Sequence, residues 1–297
     1  MGRIKLSEET KQEILKISYR YTSAKLAKMY NCSRSTILKI WMDNDYKKGT
    51  SNTYYVNQEY FKDINTENKA YVLGFLASDG TLYKRERKSG LIQIKLQESD
   101  EQILRDILAD MDSDYPVKKV KNGRFRQVLF SITSQNLYEQ LLNIGLCPDK
   151  TWKLNLKSVI SHIPKEFYID FIRGYFDGDG CITKMNNNII SKVTISFCCP
   201  YKFGLELQDL LRSIYEIESI VNIDKHRKYT NEFCNVYIHG TTNKYKLLKL
   251  MYYDGALCLE RKYNRAKQTI KAIELNLTNR SENIMAIKKF YESQESR

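Results

Sequence analysis

The stretch Val72-Leu73-Gly74-Phe75-Leu76-Ala77-Ser78-Asp79-Gly80 has a counterpart in Ile172-Arg173-Gly174-Tyr175-Phe176-Asp177-Gly178-Asp179-Gly180. Both are mainly apolar, carry two small residues four apart, and close on Asp-Gly. Residues four apart share one face of a helix. The spacing predicts helices over Asn68–Gly80 and Asp170–Gly180, with Gly74 and Ser78 on one face of the first and Gly174 and Gly178 on one face of the second. Small residues let two helix backbones approach closely, and helices in contact there would carry Asp79 and Asp179 to a common end. An acid in the last turn faces the negative end of the helix dipole, a placement unfavourable by up to ~1 kcal/mol. Two such acids also repel each other, and a divalent cation between them would remove both costs. Mg2+ takes few carboxylates, plus waters and phosphate oxygens, and so suits an open two-acid site. Gly80 and Gly180 read as C-cap glycines able to take positive φ. A single Asp-Gly is an ordinary helix stop; the repeat is what gives it weight.

Outward from the two helices the repeat continues. Strand-like stretches follow each, Thr81–Arg87 with Leu91–Gln97 and Cys181–Met185 with Lys192–Phe197, then amphipathic helices over Asp100–Asp110 and Phe203–Tyr215. Further strand pairs are expected at Val117–Lys121 with Arg126–Ile132 and at Val221–His226 with Cys234–His239. Helices over Asn136–Ile144 and Asn243–Tyr253 close the halves. The class is α+β, an α-β-β-α-β-β-α unit present twice, and duplication implies halves related by a pseudo-twofold axis.

With that order in place, the two motifs resemble those of a single-chain, two-motif LAGLIDADG homing endonuclease, over about residues 67–275. The resemblance implies that the penultimate acids, Asp79 and Asp179, bind the metal, Mg2+ with Mn2+ able to substitute, with Gly80 and Gly180 beside them. Ala77 stands where the pattern has an acid, but that position is not the metal ligand; Asp177 is read as structural or as a neighbour of the ligands. Basic residues after the closing helices are expected near the scissile phosphates. Lys150 and Lys262 are the counterparts here, with Arg261 an alternative to Lys262. The resemblance also implies cleavage across the minor groove, leaving short 3′ overhangs.

In such a fold the strands form DNA-binding saddles. Alternation puts Thr81, Tyr83, Arg85 and Arg87 on one face, joined by Gln93 and Lys95, with Ile92, Ile94 and Leu96 turned to the core. The second half offers Thr183, Lys192, Thr194 and Ser196. Arg124, Arg126, Lys225 and Arg227 are expected to extend the saddles, arginine and glutamine reading bases and lysines holding phosphates.

Ahead of the repeat, residues 6–41 read as three short helices, with Ser33 placed to N-cap the third. The segment Ser23–Ile37 resembles a helix-turn-helix, whose second helix enters the major groove; Arg34, Ser35, Thr36 and Lys39 are its candidate DNA contacts. The expected division is a small all-α domain at 1–48, a linker at 49–66, repeats at 67–163 and 164–280, and a tail at 281–297. The formal net charge of +13 draws polyanions. Seven scattered cysteines with no CxxC pair, and only three histidines, speak against a disulfide framework, a zinc site and a His–Asn–His nuclease. No signal-like or membrane-spanning stretch is seen, so a cytoplasmic monomer acting on double-stranded DNA, with no membrane partner, is expected. A non-cutting DNA-binding regulator and an RNA maturase on the same scaffold are the rival readings.

Overall fold

Side-chain caps set where the first helices begin. Ser7, Thr22 and Ser33 each accept the backbone N–H three residues on, from Thr10 at 3.1 Å, Lys25 at 3.2 Å and Thr36 at 3.1 Å. They open α1 (Glu8–Ile17), α2 (Ser23–Met29) and α3 (Arg34–Asp43). Asn31, with φ 46°, makes the tight reversal between α2 and α3. Ile14, Leu26, Ala27, Ile37, Ile40 and Trp41 form the core of this small bundle. The Trp41 indole donates to Ser18 Oγ, whose own hydroxyl donates to Ile14 O at 2.6 Å.

The structure is a computed structural model describing residues 6–18, 20–46, 54–84, 89–148, 154–184, 193–223 and 233–277. It divides into two compact units. The first comprises residues 1–57 with 111–116, and the second residues 58–110 with 117–297. Residues 54–66, expected as part of an open linker, are built in. Val56, Tyr60, Phe61 and Ile64 are buried, and the Tyr55 and Asp114 backbones bond within the first unit at 3.0 Å. Four buried apolar side chains in thirteen residues outweigh the polar composition that suggested a tether.

In the second unit α4 (Glu67–Ser78) leads into β1 (Gly80–Tyr83) and β2 (Leu91–Gln97). Next come α5 (Glu101–Asp110), β3 (Lys118–Asn122), β4 (Phe125–Thr133) and α6 (Gln135–Ile144). A short helix, α7 (Leu156–Ile160), leads to the second half. There α8 (Tyr168–Asp179) is followed by β5 (Gly180–Ile182), β6 (Ile195–Pro200) and α9 (Tyr201–Tyr215). Then β7 (Ser219–Ile223), β8 (Phe233–Ile238), α10 (Thr241–Met251) and α11 (Glu260–Leu277) complete it. The strands form two four-stranded antiparallel sheets of matching order, β1-β2-β4-β3 and β5-β6-β8-β7. One face of each sheet is apolar and covered: Ile92, Ile94, Val128 and Phe130 in the first, Ile195, Phe197, Cys234 and Val236 in the second. No helix among the described residues is long and apolar enough to cross a membrane.

Candidate functional site

Helices α4 and α8 pack backbone to backbone, and the glycines show why. A Cβ on Gly74 would overlap the carbonyl of Phe171, and one on Gly174 would overlap that of Tyr71. The contact is reciprocal, each glycine meeting the residue three before its counterpart, as a twofold relation requires. Further along, a Cβ on Gly178 would overlap Ser78 and would lie 3.3 Å from Asp79 Cγ. The carboxyl group of Asp79 therefore lies beside the residue that precedes Asp179. Asp79 caps α4, its N–H bonded to Phe75 O at 3.0 Å, and Asp179 is the last residue of α8. Asp79 is half-buried and Asp179 exposed.

Gly80 and Gly180 do not end the helices with positive φ. Gly180 has φ −89° and ψ 161°, extended backbone, and both glycines are the first residues of strands. They are required for space: a Cβ at Gly80 would meet Leu76 O at 2.5 Å, and one at Gly180 would meet Phe176 O at 2.5 Å. The strand folds back so sharply against the helix end that no side chain fits.

Asp177 is fully buried and accepts from Tyr71 Oη at 2.8 Å, Tyr252 Oη at 2.6 Å and Leu259 N at 2.6 Å. Burial pushes its carboxyl pKa up, against these three donors and Lys262. It ties α4, α8 and the start of α11 together. Lys262 is also buried, and its ammonium donates to the carbonyls of Phe176, Asp177 (2.8 Å) and Gly178 (3.3 Å). Cations are favoured at a helix C-terminus. Burial lowers the Lys262 pKa to about 8, against the pull of Asp177, Asp79 and Asp179. Arg261 instead pairs with Asp100 at 3.1 Å, so of the two basic residues it is Lys262 that meets the acid-bearing helix. Lys150 lies outside the described residues.

No group of three or more His, Cys, Asp or Glu side chains able to hold a metal is found among the described residues. A cation at Asp79 and Asp179 would thus be held by an open pair, a donor set that fits Mg2+ and leaves coordination to water and phosphate.

On the first sheet, Thr81, Gln93 and Ser131 lie in one row, Gln93 Nε2 donating to Ser131 Oγ at 2.7 Å. Lys95, Leu129 and Lys118 form the next row. Tyr83 is 51% exposed on the same face, while Ile92, Ile94 and Leu96 are buried on the other. Lys118 and Ser131 were missed from sequence because their place depends on register across three strands. Arg126, expected to extend the saddle, lies near the start of β4 and is exposed. It pairs with Lys121 on the pleat of Val128 and Phe130, and its guanidinium, 74% exposed, lies 3.9 Å from Glu98. Arg124 stacks over Phe125 at the β3–β4 turn. On the second sheet, Thr183 N donates to Thr194 O at 3.0 Å and Thr194 N to Thr183 Oγ1 at 2.8 Å. Ser196 is only 8% exposed, so it is no open contact position. Arg85, Arg87, Lys192, Lys225 and Arg227 lie outside the described residues.

In the first unit Ser35, Lys39 and Arg34 are exposed on α3, and Thr36 is half-buried. Arg34 Nε donates to Ser23 Oγ at 3.1 Å.

Residues 166–251, from the turn before α8 to the end of α10, match the family model of a LAGLIDADG-like domain. An uncharacterized protein of Methanocaldococcus jannaschii is 25% identical over 127 residues, 40% of this chain and 14% of its own length, so the match spans a small part of that relative. The LAGLIDADG homing endonuclease I-SmaMI bound to cleaved DNA superposes with a TM-score of 0.50 at 13% identity, covering 74% of this chain and 94% of that one. A mutant of I-SmaMI gives 0.50 at 12% identity, with 71% and 92% covered. I-WcaI, bound to its DNA recognition sequence, gives 0.47 at 15% identity, with 77% and 96% covered. The fold is therefore that of the LAGLIDADG homing endonucleases, and the second half contains a LAGLIDADG-like domain.

Proposed function

We propose that the chain is a site-specific endonuclease that makes metal-dependent double-strand breaks in a long double-stranded DNA target. The observation that carries this reading is the close contact of α4 and α8, which sets the Asp79 carboxyl beside Gly178, next to Asp179. Those two acids, with the Gly80 and Gly180 carbonyls beside them, would hold Mg2+ or Mn2+. When bound, such an ion activates water and stabilises the oxygens of an in-line phosphodiester displacement. Lys262, held by three carbonyls at the end of α8, supplies positive charge for the phosphate in the transition state. Lys150 is its counterpart in the first half. Thr81, Tyr83, Gln93 and Lys95 on the first sheet and Thr183 and Thr194 on the second contact the duplex. The helix-turn-helix formed by α2 and α3 adds a separate DNA-reading module, so the target is long and asymmetric. Both halves of the site are in one chain, and the active form is a monomer.

The test is cleavage of a cognate duplex, selected from a randomised or genomic library, in Mg2+. Asp179→Asn is expected to abolish cutting and retain binding of that duplex. Tight binding with no cutting in any divalent metal would sink the enzyme reading in favour of a DNA-binding regulator.

A further inference from the structure

Helix α3 offers fewer polar groups for base reading than its sequence promises. Ser33 Oγ, the cap of α3, hydrogen-bonds the Ser35 hydroxyl at 2.7 Å and the Thr36 hydroxyl at 2.8 Å. Arg34 is drawn back onto α2 through its 3.1 Å bond to Ser23. Three of the four expected readers are therefore engaged inside the module. Opposite the buried Ile37, Ile40 and Trp41, the outer face carries Ser35, Leu38, Lys39 and Met42 at i, i+3, i+4 and i+7. Leu38 is 44% exposed and Met42 72% exposed. Leu38 and Met42 thus place two apolar side chains on this exposed face beside Lys39.

Arg34 and Lys39 suit a polyanion, and the acids Asp43 and Asp45 stand only at and beyond the far end of α3. Two apolar side chains along a helix with Arg34, Lys39 and Asp43 are too little contiguous apolar surface for a protein interface. They do suit the floor of a major groove, where the only apolar group a base pair presents is the thymine C5-methyl.

We infer that α3 reads thymine methyl groups through Leu38 and Met42, while Lys39 holds phosphate. The inference rests on the DNA-binding reading above and names the bases the module selects.

The experiment uses the full chain and its library-selected duplex, with thymines replaced by uracil one at a time in the region protected by the first unit. Uracil lacks only the methyl group. Each read position is expected to lose about fourfold in affinity, the value of one buried carbon. Leu38→Ala and Met42→Ala should each lose the thymine–uracil difference at the position that side chain reads and keep it at the other, whereas Lys39→Ala should weaken both duplexes alike and flatten the salt dependence by about one unit of slope. Circular dichroism of each variant checks that the helices are intact. Uracil substitution without effect in the wild type, or discrimination at one and the same position that survives in both Leu38→Ala and Met42→Ala, would overturn the inference. A chain that cuts its duplex without protecting any flank also overturns it and leaves the endonuclease reading standing. Failure to bind any duplex removes both.

Discussion

A Cβ on Gly74 would overlap the backbone carbonyl of Phe171, and one on Gly174 that of Tyr71. Neither carbonyl can move aside without bending its helix, so Gly74→Ala and Gly174→Ala are each expected to lower the unfolding free energy by about 1–3 kcal/mol. Urea denaturation measures this, and the near-twofold arrangement predicts similar losses for the two. Asp177 presents the complementary case. Its carboxylate satisfies two buried phenols and the Leu259 amide, and Asp177→Ala leaves all three without that acceptor, at about 1–3 kcal/mol for each unsatisfied group. Asp177→Asn keeps one acceptor oxygen and should lose clearly less; equal losses for the two variants would show that the network does not hold the helices. The alanine at position 77 has no side-chain acceptor and so no such network. The partners Tyr71, Tyr252 and Leu259 come from three separate elements, so the role of Asp177 was visible only as a choice between structure and metal neighbourhood.

At the scale of elements, caps and alternation were readable because they are local. Ser33 was identified as the start of α3 from its residue type and its place before the apolar pattern, and it accepts the Thr36 N–H as that reading requires. Ser33→Ala is expected to remove about 1 kcal/mol of local stability, detectable as faster amide exchange in α3 with little change in the second unit. Strand faces followed the period of two wherever both neighbours were in register, as for Gln93 and Lys95. Alternation puts Arg126 on the pleat of Val128 and Phe130, yet the side chain lies near the start of β4 and is 74% exposed, which periodicity alone does not show. Gly80 and Gly180 were recognised as necessary for the wrong reason. Their need is steric, set by the return of the strand against the preceding helix end, and that geometry is tertiary.

For the whole molecule, the two units carry separable tasks under the proposed function. Removing residues 1–48 is expected to weaken affinity for the selected duplex several-fold while leaving turnover on saturating DNA largely intact. Equal loss in turnover would refute a separate reading module. The net charge of +13 implies that affinity falls steeply with salt in the full chain, and that the truncated chain, with fewer phosphate contacts, shows a shallower slope.

The sequence by itself determined the duplicated order of helices and strands, the paired small-residue faces and the acids that end them. These are periodic or repeated features, and periodicity survives without knowledge of contacts. The tertiary structure decided which basic residue turns to the helix end, Lys262 rather than Arg261, and which acid is buried as a tie between helices. It also decided that residues 54–66 pack instead of trailing and that most polar groups of α3 are engaged within their own module. Each of these depends on partners far apart in the chain, where burial and hydrogen-bond geometry choose among side chains that local sequence leaves equivalent.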